Sequence, residues 1–153
     1  MTLKLEWVPK LELMNWSAKM GLNFLNILVA TAISCLLTGE SMAAVINVPG
    51  NAGTIQAGID LSTDGDIILV SEGTYIENIN FNGKNVTVRG AGGPTKCIID
   101  GNQAKEVVQI VSSESSSATL EGFTIRNGIG YGGGIRVQHS SPNITNCIIT
   151  QNT

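Results

Sequence analysis

An apolar pattern that recurs about every two dozen residues is the feature that most constrains how this chain folds. Shifted by 24 positions, three apolar residues fall on three others: Leu120 on Ile144, Phe123 on Cys147 and Ile125 on Ile149. Cys97 and Ile99 show the same spacing once more, 26 positions before Phe123 and Ile125. A repeating apolar pattern of this length is typical of proteins in which each repeat stacks on its neighbours.

The chain after residue 44 is a succession of short strand-like runs. Glycine is frequent, with 18 residues, and Gly, Asn, Ser and Asp separate the apolar runs, as in turns between strands. Most runs alternate, as Val86 and Val88 do around Thr87, which is typical of a half-buried strand. An antiparallel meander stays open at this point. The predicted strands are residues 46–48, 66–70, 75–81, 85–89, 97–100, 107–111, 118–125, 134–138 and 142–149.

The repeat and the strands together predict an all-β solenoid with three short strands and three turns in each coil. Inward side chains would then stack in columns, with Val108 below Ile135 and Leu120 below Ile144. The alternative is a β-sandwich whose spacing is coincidental. A short helix at 54–61 would cover the first coil, because Thr54 can cap it and Ile55 and Ile59 share a face. The predicted core column contains Cys97, Ile99, Phe123, Ile125, Cys147 and Ile149.

Two cysteines test the predicted stacking. Adjacent strands lie about 4.8 Å apart, so Cys97 and Cys147, two coils apart with Phe123 between them, would be separated by roughly 9–10 Å. A disulfide needs Cα atoms within about 7 Å. We therefore expect two unpaired, inward-facing thiols that act as small apolar fillers.

The N-terminal part has the pattern of a secretory signal peptide. Lys19 precedes an apolar stretch at 22–37, and small residues follow it, which predicts cleavage near Ala43 or Ala44. A retained anchor and a lipoprotein at Cys35 are the alternatives, and translation starting at Met14 or Met20 is a further one. We assign 1–43 to the signal and 44–153 to the first coils of a longer solenoid, because the sequence ends after the first strand of a new coil.

Two stretches resemble a known superfamily. Residues 54–93, with the Gly-Thr-Tyr-x-Glu at 73–77, are similar to the opening of pectinesterase-like and other pectin-lyase-like proteins. Residues 120–128 and 131–152 resemble the repeats of bacterial secreted and surface proteins. The resemblance implies a right-handed, single-stranded parallel β-helix with a short N-terminal capping helix. It does not imply one activity, since this architecture carries lyases, hydrolases, esterases and adhesins.

No catalytic or metal site is predicted in this segment. Calcium needs six to eight oxygen ligands, and the densest acidic group, Asp64 and Asp66, is interpreted as a solvated turn. Asp100 is expected to shape its own turn. The resemblance to lyases makes Ca²⁺ relevant only if coils further along are lyase-like, and no other cofactor is expected. The net charge of −3 argues against a nucleic-acid partner.

Four residues are candidates for contact with carbohydrate, because Arg and Tyr on an outer wall suit a sugar chain: Arg126, Tyr131, Arg136 and His139. The alternative is that the arginines only keep the surface soluble, Tyr131 covers a loop and His139 is a turn residue. The expected function is a secreted or cell-surface domain that binds an extracellular polysaccharide or surface glycan, with no membrane contact in the mature form. A purely structural repeat and the N-terminal part of a polysaccharide lyase or hydrolase remain as alternatives. The sequence does not indicate an oligomeric state.

Overall fold

The computed structural model describes residues 42–153. The predicted signal peptide therefore lies, apart from its last residues, outside the described part of the chain. Residues 43–153 form a single compact unit. Residues 42–44 are exposed and lack regular structure, and the first strand begins at Val45, directly after the predicted cleavage positions.

The described residues form twelve strands and one helix, α1 (Ile55–Leu61). The strands are β1 (Val45–Val48), β2 (Ile67–Val70), β3 (Gly73–Ile76), β4 (Ile79–Asn80), β5 (Thr87–Gly90), β6 (Cys97–Asp100), β7 (Val108–Ile110), β8 (Thr119–Glu121), β9 (Thr124–Arg126), β10 (Ile135–Val137), β11 (Asn143–Thr145) and β12 (Ile148–Thr150). They form three sheets. The first sheet has the order β1-β2-β5-β8-β11, the second β3-β6-β9-β12 and the third β4-β7-β10.

Every strand pair in these sheets is parallel, and from β2 onward the chain visits the first, second and third sheets in turn. One passage through the three sheets is one coil, so the predicted β-solenoid is confirmed, and the described residues form about four turns of it. Antiparallel pairing is not observed between residues 42 and 153. Val108 pairs with Ile135 and Leu120 with Ile144, as the columns predict.

The inward side chains of the second sheet form the column that the sequence indicates. Ile99 is paired with Ile125 and Ile125 with Ile149, a register that places Cys97, Phe123 and Cys147 in the adjacent row. Cys97, Ile99, Phe123 and Ile125 are fully buried, whereas Cys147 is half-buried and Ile149 is 54% exposed. Ile149 lies on β12, the outermost strand of its sheet, so here it is not a core residue. Neither cysteine is paired.

Three of the predicted strands are each divided in two by a corner of the coil. Residues 75–81, 118–125 and 142–149 run from one sheet into the next instead of continuing straight. Gly122 and Asn146 stand at equivalent corners with φ of 80° and 48°. This left-handed conformation, which favours Gly and is tolerated by Asn, redirects the chain between the two short strands.

Helix α1 covers the first coil and is held at both ends. Thr54 accepts a hydrogen bond from the Ala57 amide at 3.1 Å, and Ile55 and Ile59 are fully buried, so the predicted capping helix is confirmed. The Glu77 carboxylate accepts the amides of Ile55 and Gln56, each at 3.0 Å.

The opposite end of the helix is held by a cation. Lys84 Nζ donates to the carbonyls of Ile59, Asp60 and Ser62 at 2.7, 2.7 and 2.9 Å. An anion at the first turn of a helix and a cation at the last both complement its dipole. Glu77 of the Gly-Thr-Tyr-x-Glu stretch therefore has a structural role, because it fixes the helix to the corner between β3 and β4.

We expect the two thiols to differ in reactivity. In the 153-residue chain carrying Cys35→Ser, a thiol-reactive disulfide reagent should label Cys147 slowly and Cys97 only after unfolding. Cys97 is fully buried, and burial raises the pKa of the half-buried Cys147 thiol, which lowers its thiolate fraction. Labelling rates followed by mass spectrometry, with and without denaturant, test this. A disulfide between the two residues would contradict the register.

Candidate functional surface

All nine carboxylates of the described residues form contacts between distant parts of the chain. Each accepts a hydrogen bond or an ion pair from a residue at least 20 positions away, which is about the length of one coil. They therefore join one coil to another or the helix to the stack. The nine are Asp60, Asp64, Asp66, Glu72, Glu77, Asp100, Glu106, Glu114 and Glu121.

Glu114 is the most buried of these carboxylates, with 1% of its surface exposed. One oxygen accepts the Gly83 amide at 2.9 Å, and the other accepts the Ser112 amide at 2.7 Å and the Ser140 hydroxyl at 2.6 Å. These donors come from three successive corners between the third and first sheets. Burial alone raises the pKa of Glu114, but the bonds from Ser140, Ser112 and Gly83 outweigh it, so the pKa lies below its ordinary value.

Arg126 lies on the outer face of the second sheet, directly beside Asp100 of the preceding coil. Its Nε donates to Asp100 Oδ2 at 2.9 Å, and Asn127 Nδ2 donates to both oxygens of the same carboxylate. Asp100 also accepts the Asn102 amide at 3.0 Å, which confirms that it shapes its own turn. Burial raises the pKa of Asp100, but the bonds from Asn102, Asn127 and Arg126 prevail and lower it.

Asp64 and Asp66, interpreted from the sequence as a solvated turn, differ in their surroundings. Asp64 is exposed and accepts the backbone and side-chain amides of Asn85, and the backbone bond is the main reason that its pKa is lowered. Asp66 is 5% exposed, so the interpretation is wrong for this residue. It accepts the amides of Thr63 and Ala44, both at 2.8 Å, and these bonds lower its pKa.

The other candidate residues lie on and around the third sheet: Tyr131 before β10, Arg136 on β10, and His139 at the corner between the third and first sheets. Arg136 on β10 donates to Gln138 Oε1 at 2.7 Å and lies 3.8 Å from Glu106 Oε1. His139 is exposed, with φ of 55°, and its ring nitrogen is 3.4 Å from Gln138 Nε2. Tyr131, in the loop between β9 and β10, is fully exposed and covers nothing.

The structure thus divides the four sequence candidates. Arg136 and His139 both contact Gln138, whereas Arg126 belongs to the separate Asp100 cluster and Tyr131 projects from the loop. Sequence reasoning missed the partners Asp100 and Glu106, although the 26-residue spacing of the columns already aligns Asp100 with Arg126. We call the loop 127–134 together with Arg136, Gln138 and His139 the corner surface. It presents an aromatic ring, a guanidinium, an amide and an imidazole to solvent.

Two further properties concern metals and membranes. No three His, Cys, Asp or Glu side chains of residues 42–153 are grouped so as to hold a metal ion. Within the same residues, no helix has the length and hydropathy needed to span a membrane.

Comparison with known proteins identifies a relative of part of this chain. The chain is 33% identical over 126 residues to a protein named "Cell surface glycoprotein" from Methanothermus fervidus. The match covers 76% of this chain and 18% of that protein, so the chain spans about a fifth of the relative's length. No family model matches the chain, and no solved structure matches it. The likeness to pectin-lyase-like proteins therefore stays a resemblance.

Glu114→Ala should lower the free energy of unfolding by about 3 kcal/mol, because it removes a buried carboxylate that is the charged acceptor of three hydrogen bonds. Denaturant unfolding at pH 7 measures this. The matched control is Glu121→Ala, which removes the half-exposed ion pair with Arg89 and should cost about 1 kcal/mol or less. Equal losses in the two variants would contradict the structural role of Glu114.

The Glu114 contribution should also depend on pH. Because the pKa of Glu114 is lowered in the folded state, its stabilisation is complete above the ordinary value of 4.5 and is lost as the pH falls through the folded pKa. The difference in unfolding free energy between the wild type and Glu114→Gln should therefore shrink from pH 7 towards pH 3. A difference that stays constant over this range would mean that the charge does not stabilise the fold.

Proposed function

We propose that this chain is a solenoid segment of a secreted or cell-surface protein, in which stacked coils form a stiff wall and the corner surface contacts an extracellular polysaccharide. The similarity to a protein named cell surface glycoprotein supports the location. The solenoid fold is the evidence for an extended wall, because such stacks provide extended surfaces built from neighbouring repeats.

The observation that carries the proposal is that the carboxylates form structural contacts between parts of the stack. Hydrolysis of a glycosidic bond commonly uses two carboxyl groups that flank the sugar, one of them with a raised pKa. In residues 42–153 every carboxylate joins distant parts of the stack, and Asp64, Asp66, Asp100 and Glu114 have lowered pKa values. This arrangement favours a structural and binding role for the segment over the alternative of a polysaccharide-degrading enzyme.

The corner surface is the part of the wall best suited to bind a sugar chain. Tyr131 offers a ring with an apolar body and a polar hydroxyl, and such side chains contact ligands with little loss of conformational freedom. Arg136 on β10 and Gln138 directly after it supply donors, and the Glu106 carboxylate forms an ion pair with the guanidinium at 3.8 Å. A neutral or carboxylated polysaccharide fits these groups.

Tyr131→Ala should release the protein from a polysaccharide that retains the wild type, whereas Tyr131→Phe should keep most of the binding because the ring remains. Pull-down on a panel of insoluble neutral and acidic polysaccharides measures this. Arg136→Ala should weaken binding to acidic polymers, and Arg89→Ala, an ion-paired arginine on the first sheet, is the matched control. Wild-type protein that binds no polymer in the panel would contradict the proposed contact.

Export should leave Ala44 as the first residue of the mature protein. Ser41 and Ala43 fit the small-residue pattern for cleavage after Ala43. The Ala44 amide donates to Asp66 Oδ1 at 2.8 Å, and a free amino group in its place would add a positive charge beside this buried carboxylate. N-terminal sequencing of exported protein tests this. A first residue upstream of Ser41 would contradict cleavage at this position. A first residue downstream of Val45 would also contradict it, because part of β1 would then be removed.

A further inference from the structure

Two Asn-x-Thr triplets occur in the described residues, Asn85-Val86-Thr87 and Asn143-Ile144-Thr145. A third triplet of this class, Asn15-Trp16-Ser17, lies outside them. Asn-x-Ser/Thr is the acceptor pattern for N-linked glycans and is used where the asparagine lies on an accessible surface. The structure separates the two described triplets by their surroundings.

Asn143 lies on the outer face of the first sheet. It begins β11, where Ile144 is paired with Leu120 of the core column, so Asn143 and Thr145 point to the opposite, outer side. Both residues are exposed. The Asn143 Nδ2 donates a single hydrogen bond, at 2.6 Å, to the carbonyl of Ser116, which is itself on an exposed corner. A substituent on this nitrogen extends into solvent without disturbing the core.

Asn85, in contrast, is used to join three corners. Its Oδ1 accepts both the amide and the hydroxyl of Ser115 at 2.8 Å, and its Nδ2 donates to Asp64 Oδ2 at 3.2 Å. Its backbone amide donates to Asp64 Oδ1 and its carbonyl accepts the Gly65 amide, both at 2.9 Å. The side chain is half-buried. A glycan on Nδ2 would have to enter the half-buried space between these corners, where Asp64 and Ser115 already contact the amide.

We propose that Asn143 is an N-glycosylation site of the folded protein and that Asn85 is not. The donor is a glycan activated as a polyprenyl phosphate or diphosphate ester. The amide nitrogen of Asn143 bonds to the anomeric carbon, the bond from that carbon to the phosphate oxygen breaks, and the phosphate leaves with the electron pair. One amide proton is released, and no oxidant or reductant is needed. This inference concerns modification and does not depend on the proposed polysaccharide contact.

The test uses folded, unglycosylated protein incubated with a single-subunit oligosaccharyltransferase and a polyprenyl-diphosphate-linked oligosaccharide. Peptide mass spectrometry should show one added glycan on the peptide with Asn143 and none on the peptide with Asn85. Thr145→Ser should keep the modification, whereas Thr145→Ala and Asn143→Gln should abolish it. Circular dichroism before the reaction confirms that these variants, which change exposed positions on one strand, are folded.

A second arm repeats the reaction on denatured protein, in which both triplets should be modified, because only the fold protects Asn85. Several outcomes would overturn the proposal: an unmodified Asn143 beside a modified acceptor peptide, equal modification of Asn85 in folded protein, or an Asn85 that stays unmodified when the chain is denatured. Because the assay contains no polysaccharide, its failure would leave the result of the pull-down unaffected.

Discussion

Parallel backbone pairing between successive coils is the constraint on which the rest of this structure depends. Once a strand pairs with the one below it, the side chains of both must point the same way at every position. The coils are of unequal length, with 20 residues from Ile67 to its partner Thr87 and 32 from Thr87 to Thr119. The register is nevertheless kept, because the extra residues lie in the corners, where the chain leaves the sheets and can lengthen into solvent.

Corners therefore carry the polar chemistry of this protein. Backbone amides that turn away from the sheets lose their partners in the strand above and need other acceptors. Asp64, Asp100 and Glu114 provide these acceptors, and the side-chain and backbone donors that they bind hold their pKa values below normal. A carboxylate held in this way is ionised and already has its donors, which suits a structural bond and is unfavourable for a general acid.

The stacked columns of side chains could be predicted from the sequence, whereas the conformation of the corners could not. The reason is physical. Inward positions repeat their apolar character because each side chain rests on its equivalent, so Ile99 and Ile125 could be aligned without coordinates. Whether an Asn ends a strand depends on its backbone conformation: Asn146 has a positive φ and turns the chain, whereas Asn143 lies within a strand. Both look alike in the sequence. The Asp100–Arg126 pair could have been predicted from the column register, and the triplet at Asn143 from its pattern alone.

The proposed glycan acceptor and the exposed aromatic ring occupy different sides of the solenoid. Asn143 is on the outer face of the first sheet, while Tyr131 lies at the corner between the second and third sheets, and Gln138 and His139 of the corner surface lie between these two sides. In a coil with three sheets, the corner between two of them faces away from the third. A glycan on Asn143 would therefore shield one side of the wall and leave the edge with Tyr131 accessible to a polysaccharide. The same separation means that Thr145→Ala and Tyr131→Ala alter distant parts of the surface, so their effects should be independent.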